Sequence, residues 1–345
     1  MKDFSIYVAP SAKRGTGYPN RYFCRLKEVL SIHFKVLEAD NRPCLMQGTA
    51  LVFNSLRADV FLLSFVENIA FHKLAWFQQW LALAALRCMK IRGRKIIFIF
   101  HNPRPHKGET PISRRLTDAQ LRQADVVIAH SQEAATVARL RLAVLAEDPG
   151  KVCYIAHPVT PFTGQAAPAV APFDILIWGD ILPYKGVLEF VREPALAESG
   201  LCVRIIGRCA DPVYARELES SLPAGVSFEN RRVSFENRRA PFEELASLSK
   251  AARYVLFPYL PGSVSSSGVL MDTLALGGTP VGPAVGAFAD LAEEGLCLTY
   301  SSVEELFAIL SGKQEIDPAR RTAFIRNHSW EAFAKTISQL VSAEG

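Results

Sequence analysis

At 345 residues the chain is too long for one ordinary hydrophobic core and suits two domains of roughly 150 residues each. Hydrophobic residues make up 49% and charged residues 21%, which excludes a disordered or fibrous chain. The net charge of +5 is unevenly spread: residues 1–160 carry 23 Lys/Arg against 12 Asp/Glu, and the remainder carries 16 against 22.

Six short runs rich in Val, Ile and Phe mark strands in the first half, at 4–9, 34–39, 60–65, 95–101, 126–131 and 152–157. Several are apolar on both faces, as strands inside a parallel sheet are. Amphipathic helical segments at 22–30, 73–89 and 132–145 separate them, and such alternation marks a doubly wound α/β domain. Residues 157–173, HPVTPFTGQAAPAVAPF, then lose all periodicity and read as a linker. The alternation restarts with strands at 173–179, 202–207, 226–230, 254–259, 279–283 and 296–300. An amphipathic helix over 329–341, with Ser329 as its N-cap, ends the chain. Domains are therefore expected at 1–160 and 161–328, with the terminal helix following. The heptapeptide VSFENRR occurs twice in tandem, at 226–232 and 233–239. Seven residues is far below a structural repeat, so a local duplication that lengthens a loop is expected, its arginines solvated.

The segment 256–291 has the local chemistry of an anion site. A strand ends at Pro258–Tyr259, small residues follow from Gly262 to Gly268, and a helix opens at Val269 and stops at Gly277–Gly278. Small residues before a helix start leave unpaired backbone N–H groups, to which the helix dipole adds partial positive charge. Ser265, Ser266 and Ser267 add hydroxyls, and Asp272, one turn in, could accept from sugar or ribose hydroxyls. The same residues also fit a plain strand-to-helix loop with a serine cap. A second candidate is ILIWGDILPYKGVLEFV (175–191), where a strand ends in Gly179 and Lys185–Gly186 precede a helix. Lysine there sits at the carboxyl edge of the sheet, where doubly wound folds bind ligands, although a lone loop lysine can equally be solvated.

Taken in order, GDILPYKG, the strand ending at Ile205–Ile206–Gly207, and LFPY…SSGVLMDTLALGGTPVG resemble the C-terminal domain of GT-B glycosyltransferases, especially the retaining family four. Upstream, IIFIFHNPRPH (96–106) and ADVVIAHSQEAATVARL (124–140) resemble segments of that family's first domain, and SWEAFA resembles its terminal helix. The resemblance implies an α/β GT-B fold of two Rossmann-like domains facing across a cleft, the last helix packing back on the first. It also implies transfer of a sugar from a nucleoside diphosphate sugar, UDP- or GDP-linked, to an acceptor hydroxyl. Lys185 would bind the donor diphosphate, Ser266, Ser267 and Gly268 would cradle its terminal phosphate, and Asp272 would hold the ribose. Gly179, Gly207 and Ser265 would line that site. His101 would sit near the transferred sugar, and Gly15 and Gly17 would let the first domain approach the phosphate or acceptor. Two departures stand out. The family's first glutamate falls on Val264, with Asp272 in the second position, and an arginine after the first-motif glycine is replaced by Asp180.

Neither a DxD motif nor a cluster of metal-ligand spacing is evident, so no metal is expected and no cofactor beyond the donor. The seven cysteines (Cys24, Cys44, Cys88, Cys153, Cys202, Cys209, Cys297) lack CxxC spacing and point to a reducing compartment. The N-terminus lacks a signal-peptide core, and the longest uncharged apolar run, 74–86, is too short to span a bilayer. A cytoplasmic protein is expected. The apolar 76–86 segment followed by MKIRGRK (89–95) could touch an anionic membrane and present a lipid-linked saccharide acceptor of surface-polysaccharide assembly; it could equally be a core helix before a basic loop. A non-catalytic GT-B subunit that binds nucleotide or scaffolds a partner transferase is the rival reading. Nucleic-acid binding is disfavoured, because the basic residues lack interleaved aromatics.

Overall fold

A computed structural model describes residues 4–10, 21–37, 46–101, 108–223, 233–260, 262 and 265–342. The chain divides into two compact units, Met1–Pro158 with His328–Gly345, and Val159–Asn327.

The first unit carries strands β1 (Ser5–Ala9), β2 (Lys35–Leu37), β3 (Val60–Leu63), β4 (Lys95–Phe100), β5 (Val126–Ala129) and β6 (Val152–Tyr154). They form one parallel sheet in the order β2-β1-β3-β4-β5-β6. Its helices are α1 (Arg21–Leu30), α2 (Gln47–Ser55), α3 (Ala75–Ile91), α4 (Pro111–Gln123) and α5 (Gln132–Val144). Alternation along each strand sends side chains to two buried faces. Tyr7, Phe61, Phe98 and Val127 face the α2–α5 layer, with Leu86, Met89, Leu116 and Leu142. Ile6, Leu62, Ile97 and Ile128 face the other way, against Leu26 and Leu30 of α1 and against Trp330, Phe333 and Ile337 of the terminal helix. That helix, residues Trp330–Ser342, belongs to the first unit because its apolar stripe covers this face. Ser329 caps it, accepting from the Ala332 N–H at 3.2 Å.

The second unit carries β7 (Phe173–Trp178), β8 (Val203–Ile206), β9 (Val233–Glu236), β10 (Ala252–Leu256), β11 (Pro280–Pro283) and β12 (Leu298–Tyr300). Its helices are α6 (Val187–Val191), α7 (Pro194–Ser199), α8 (Pro212–Ser221), α9 (Phe242–Ala251), α10 (Gly268–Ala275), α11 (Gly286–Glu293), α12 (Val303–Ser311) and α13 (Pro318–Asn327); the terminal helix is α14. The sheet is again parallel, in the order β12-β11-β10-β7-β8-β9. Strand order reverses between β7 and β10, so the crossovers leaving these neighbours run in opposite directions and open a crevice beyond their carboxyl ends. Of the linker residues, Ala167 is tied to α9, its carbonyl accepting from the Ser247 hydroxyl at 2.6 Å and its N–H donating to the Glu243 carbonyl at 3.0 Å.

One expectation needs correcting. The first VSFENRR copy, with the strand placed at 226–230, lies outside the described residues, and the second copy does not merely lengthen a loop. It forms the edge strand β9, where Val233 is buried and Phe235 packs against the core. Asn237 clamps the chain after β8, its Oδ1 accepting from the Cys209 N–H at 2.8 Å and its amide donating to the Cys209 carbonyl at 3.3 Å. Arg238 pairs with Glu236 at 2.7 Å and with Glu244, and Arg239 pairs with Asp180 at 3.4 Å. Both arginines are exposed to solvent, as expected, and carry these surface ion pairs. A strand residue needs neighbours on both faces, which a seven-residue duplication cannot reveal from composition.

Candidate functional site

In the second unit, the loops that follow β7 and β10 meet at the strand-order reversal. Gly179 leaves β7 with a φ of +105°, a conformation that side chains resist. Gly207, leaving β8, packs so tightly that a Cβ there would lie 1.9 Å from the Gly179 carbonyl oxygen. Between them the Ile181 N–H donates to the Arg208 carbonyl at 2.9 Å, which pins the start of the Lys185 loop. Gly186 closes that loop at φ +64°, with no room for a Cβ, which would sit 2.0 Å from the Pro258 carbonyl oxygen. The Leu260 N–H donates to the Tyr184 carbonyl at 3.1 Å, tying the two loops together.

This frame fixes Lys185. Its side chain is only 8% exposed, its ammonium lies 5.7 Å from the centre of the Tyr259 ring, and no ion pair reaches it among the described residues. Burial pulls the ammonium below the ordinary lysine value, and the nearby Tyr184 and Asp180 groups only partly restore it. A buried cation without an anion is costly, and no described carboxylate fully offsets that cost here. The second positive feature is adjacent. A Cβ placed on Gly179 would lie 3.7 Å from the Lys185 Nζ and 3.2 Å from Cγ2 of Val269, the second residue of α10. The lysine tip and the start of α10 thus converge on one point.

Helix α10 also lacks its cap. Ser267 occupies the N-cap position with extended backbone, yet its side chain makes no cap hydrogen bond. Its hydroxyl instead pairs with the Tyr259 hydroxyl at 3.3 Å. Burial pushes the Tyr259 phenol up to about 12, so it remains a neutral hydroxyl at physiological pH. The first intrahelical bond is Met271 N–H to the Ser267 carbonyl at 3.3 Å, so the N–H groups of Gly268, Val269 and Leu270 lack the helical partner that later residues have. Ser265 anchors the loop, its carbonyl accepting from the Ala287 N–H at 2.8 Å. Gly286, at φ +54°, leaves no space for a side chain beside it. Ser266 and Asp272 are partly buried in the same stretch.

The structure therefore gathers Gly179, Lys185, Gly207, Ser265, Ser266, Ser267, Gly268 and Asp272 at the carboxyl edge of one sheet. His101 belongs to the first unit, and Gly15 and Gly17 lie outside the described residues. Asp180, at the position where an arginine was looked for, does not stand alone: Arg239 reaches it from the chain after β9.

In the first unit His101 follows β4 directly and is 9% exposed. It stacks on Phe65 with ring centres 4.3 Å apart and planes 7° from parallel. Phe65 holds φ +54°, a strained value for an aromatic residue. His101 is one of three. His130 follows β5, and His157 lies three residues beyond β6; the His101–His130 and His130–His157 ring centres are 5.2 and 5.3 Å apart. His130 Nδ1 donates to the Ile155 carbonyl at 2.8 Å, so its Nε2 accepts from the Tyr22 hydroxyl at 2.9 Å. Trp330 packs on both Tyr22 and His157. Burial, reinforced by the neighbouring imidazoles, holds His101 well below the ordinary histidine value and His130 at about 3, and burial alone holds His157 at about 4. All three are neutral at pH 7. Among the described residues the His101 Nε2 has no hydrogen-bond partner, although it is buried. The reading from sequence missed His130 and His157, although IIFIFH, VVIAHS and VCYIAH each bring a histidine to the end of a neighbouring strand.

Among the described residues no group of three or more His, Cys, Asp or Glu is placed to hold a metal ion, and no helix is long and apolar enough to cross a membrane.

No protein-family model and no curated protein sequence matches the chain. Solved structures do. The Anabaena protein Alr3699/HepE, determined in complex with UDP-glucose, is 17% identical, with a TM-score of 0.62 over 98% of this chain and 96% of that one. An α,α-trehalose-phosphate synthase (UDP-forming) from Burkholderia vietnamiensis is 14% identical, with a TM-score of 0.63 over 99% and 100%. The lipopolysaccharide outer core galactosyltransferase WaaB is 13% identical, with a TM-score of 0.58 over 99% of each chain. With its two parallel six-stranded sheets, the chain has the GT-B glycosyltransferase fold.

Proposed function

We propose that the chain transfers a sugar from a nucleoside diphosphate sugar, UDP- or GDP-linked, to an acceptor hydroxyl. The observation that carries this is the buried Lys185 ammonium, without an ion pair among the described residues, meeting the uncapped start of α10 at the β7/β10 reversal. Cleaving the anomeric bond adds a second negative charge to the terminal phosphate of the nucleoside diphosphate, and the protein's main task is to stabilise that leaving charge. Lys185 supplies a full positive charge, and the Gly268, Val269 and Leu270 N–H groups supply fixed dipoles. His101, neutral and buried, offers the sugar a ring nitrogen for hydrogen bonding and no charge. Asp272 accepts from ribose hydroxyls, and Gly15 and Gly17 serve the approach of phosphate or acceptor. The reaction runs without metal, since the sequence shows neither a DxD motif nor a metal-ligand cluster, and with retention of configuration, which rests on the family resemblance. The acceptor is a lipid-linked saccharide of surface-polysaccharide assembly, met at the cytoplasmic face of the membrane. The complexes of HepE with UDP and UDP-glucose support this choice of donor.

Val264 and Asp180 favour a second reading, a nucleotide-binding subunit without turnover. Calorimetry with UDP and GDP, followed by release of nucleotide from the matching sugar nucleotides, separates the two. Binding with release supports the transferase, binding without release under acceptor supply supports the subunit, and no binding of either nucleotide rejects the donor site.

A further inference from the structure

The outer side of α3 carries large aromatic residues that the fold does not use. Gln78, Ala82, Ala85, Leu86 and Met89 are buried, whereas Trp76, Phe77 and Trp80 are 63%, 41% and 65% exposed. Trp76, Trp80, Ala84, Arg87 and Ile91 follow each other at helical spacing and share one stripe. Exposed rings gathered on one face mark a docking surface rather than ordinary scatter. The sequence reading of this segment needs correction on two residues. Leu86 belongs to the core, and Arg94 pairs with Asp59 at 2.6 Å, so neither is free for a partner; Lys95 opens β4.

Beside the stripe, α3 and α4 enclose a groove of about 720 Å³, whose lining includes Leu83, Arg87, Arg114, Arg115 and Arg122. Two carboxylates, Glu109 and Asp118, also line it. They are already engaged: Glu109 accepts from Arg114 at 2.6 Å and Arg141 at 3.3 Å, and Asp118 accepts from Arg141 at 2.7 Å. Arg87, Arg115 and Arg122 have no ion pair among the described residues. Guanidinium groups converging on a groove suit phosphate, which they bind in bidentate geometry.

We propose that this face docks on an anionic membrane, with Trp76, Phe77 and Trp80 entering the headgroup layer and Arg87, Arg115 and Arg122 holding a phospholipid phosphate in the α3–α4 groove. Tryptophan suits the interface because its ring is apolar and its indole N–H stays wet. The rings supply buried area and the arginines supply selectivity for anionic lipid. The inference deepens the membrane-facing part of the proposed function, and donor binding in solution tests that function separately.

The test is flotation of the full chain with phosphatidylcholine vesicles, with and without phosphatidylglycerol. The wild-type chain should float only with the anionic vesicles, and less as salt is raised. The triple variant R87Q/R115Q/R122Q should lose about a hundredfold in partitioning, a factor of about five per arginine at an anionic surface. W76A/W80A should also lose flotation while keeping the melting temperature and UDP affinity of the parent, since both rings are exposed. Flotation unchanged in the arginine variant would overturn the proposal, as would equal flotation with neutral vesicles. A wild-type chain that ignores vesicles but self-associates, and becomes monomeric in W76A/W80A, would reassign the face to a second copy.

Discussion

Both units bury titratable side chains at the carboxyl edge of a parallel sheet, and they satisfy them in opposite ways. In the first unit His101, His130 and His157 are neutral and largely packed on one another, with Tyr22, Phe65 and Trp330 around them. Their cost is met inside the protein, by giving up charge. In the second unit Lys185 keeps its ammonium, although burial pulls its proton affinity down, and no carboxylate pairs with it among the described residues. Under the proposed function, the donor diphosphate would offset its cost. Hence the histidine cluster is expected to set the response to acid, whereas under the proposed function the lysine site sets the response to ligand.

Acid gives the largest expected effect. A histidine whose folded proton affinity lies below its unfolded value of about 6.5 contributes stability that is complete above that pH. The contribution is lost as pH falls toward the folded values, about 4 for His157 and about 3 for His130. Each fully shifted ring costs up to about 1.4 kcal/mol per pH unit within that window. Burial shifts His101 in the same direction and steepens the fall, to which the partly exposed His157 adds less. Thermal melting between pH 7 and pH 5 should show a steep fall, shallower in His130→Gln. A flat profile over that range would mean the cluster is solvated and not buried as described.

Lys185→Met probes the other half of the comparison. Removing a charge-assisted contact worth about 1.5–3 kcal/mol should weaken UDP binding about tenfold to a hundredfold by calorimetry. The melting temperature without nucleotide should hold or rise, because an unpaired buried charge is removed. A large drop in that melting temperature would show Lys185 to be structural instead. Gly207→Ala should act by packing alone. A methyl 1.9 Å from the Gly179 carbonyl forces the β7 and β8 exits apart, costing about 1–3 kcal/mol and lowering the melting temperature with UDP absent.

How legible each region was in the sequence follows from the same physics. Strand–helix alternation announced both sheets, since a buried parallel strand must be apolar on both faces and a crossover helix on one. The Lys185 and Ser265–Gly268 loops stood out because glycine and small residues are local requirements of tight turns. The histidine cluster did not stand out. Its members are 29 and 27 positions apart along the chain, and only the sheet order β4-β5-β6 sets them side by side. The second VSFENRR copy was misread for a related reason. Its value lies in what Asn237 and Arg239 reach across the sheet, Cys209 and Asp180, and neither contact leaves a local trace.

The smallest expected effect lies at that last contact. Asp180 puts a negative charge on the loop that carries Lys185, and it acts on the Lys185 ammonium. Left unpaired, it would oppose an incoming diphosphate. Arg239 lies 3.4 Å away, and both side chains are exposed, so the pair is worth no more than about 1 kcal/mol. Arg239→Gln should therefore weaken UDP binding only about two- to fivefold, an effect that shrinks as salt screens the exposed charge. Asp180→Asn alone should leave binding equal or slightly tighter. The double variant discriminates the mechanism. If Arg239 acts by masking Asp180, removing both charges restores the parent affinity. If the guanidinium instead touches the diphosphate, the double variant stays as weak as Arg239→Gln, and the arginine missing after Gly179 has been supplied from the neighbouring edge of the sheet.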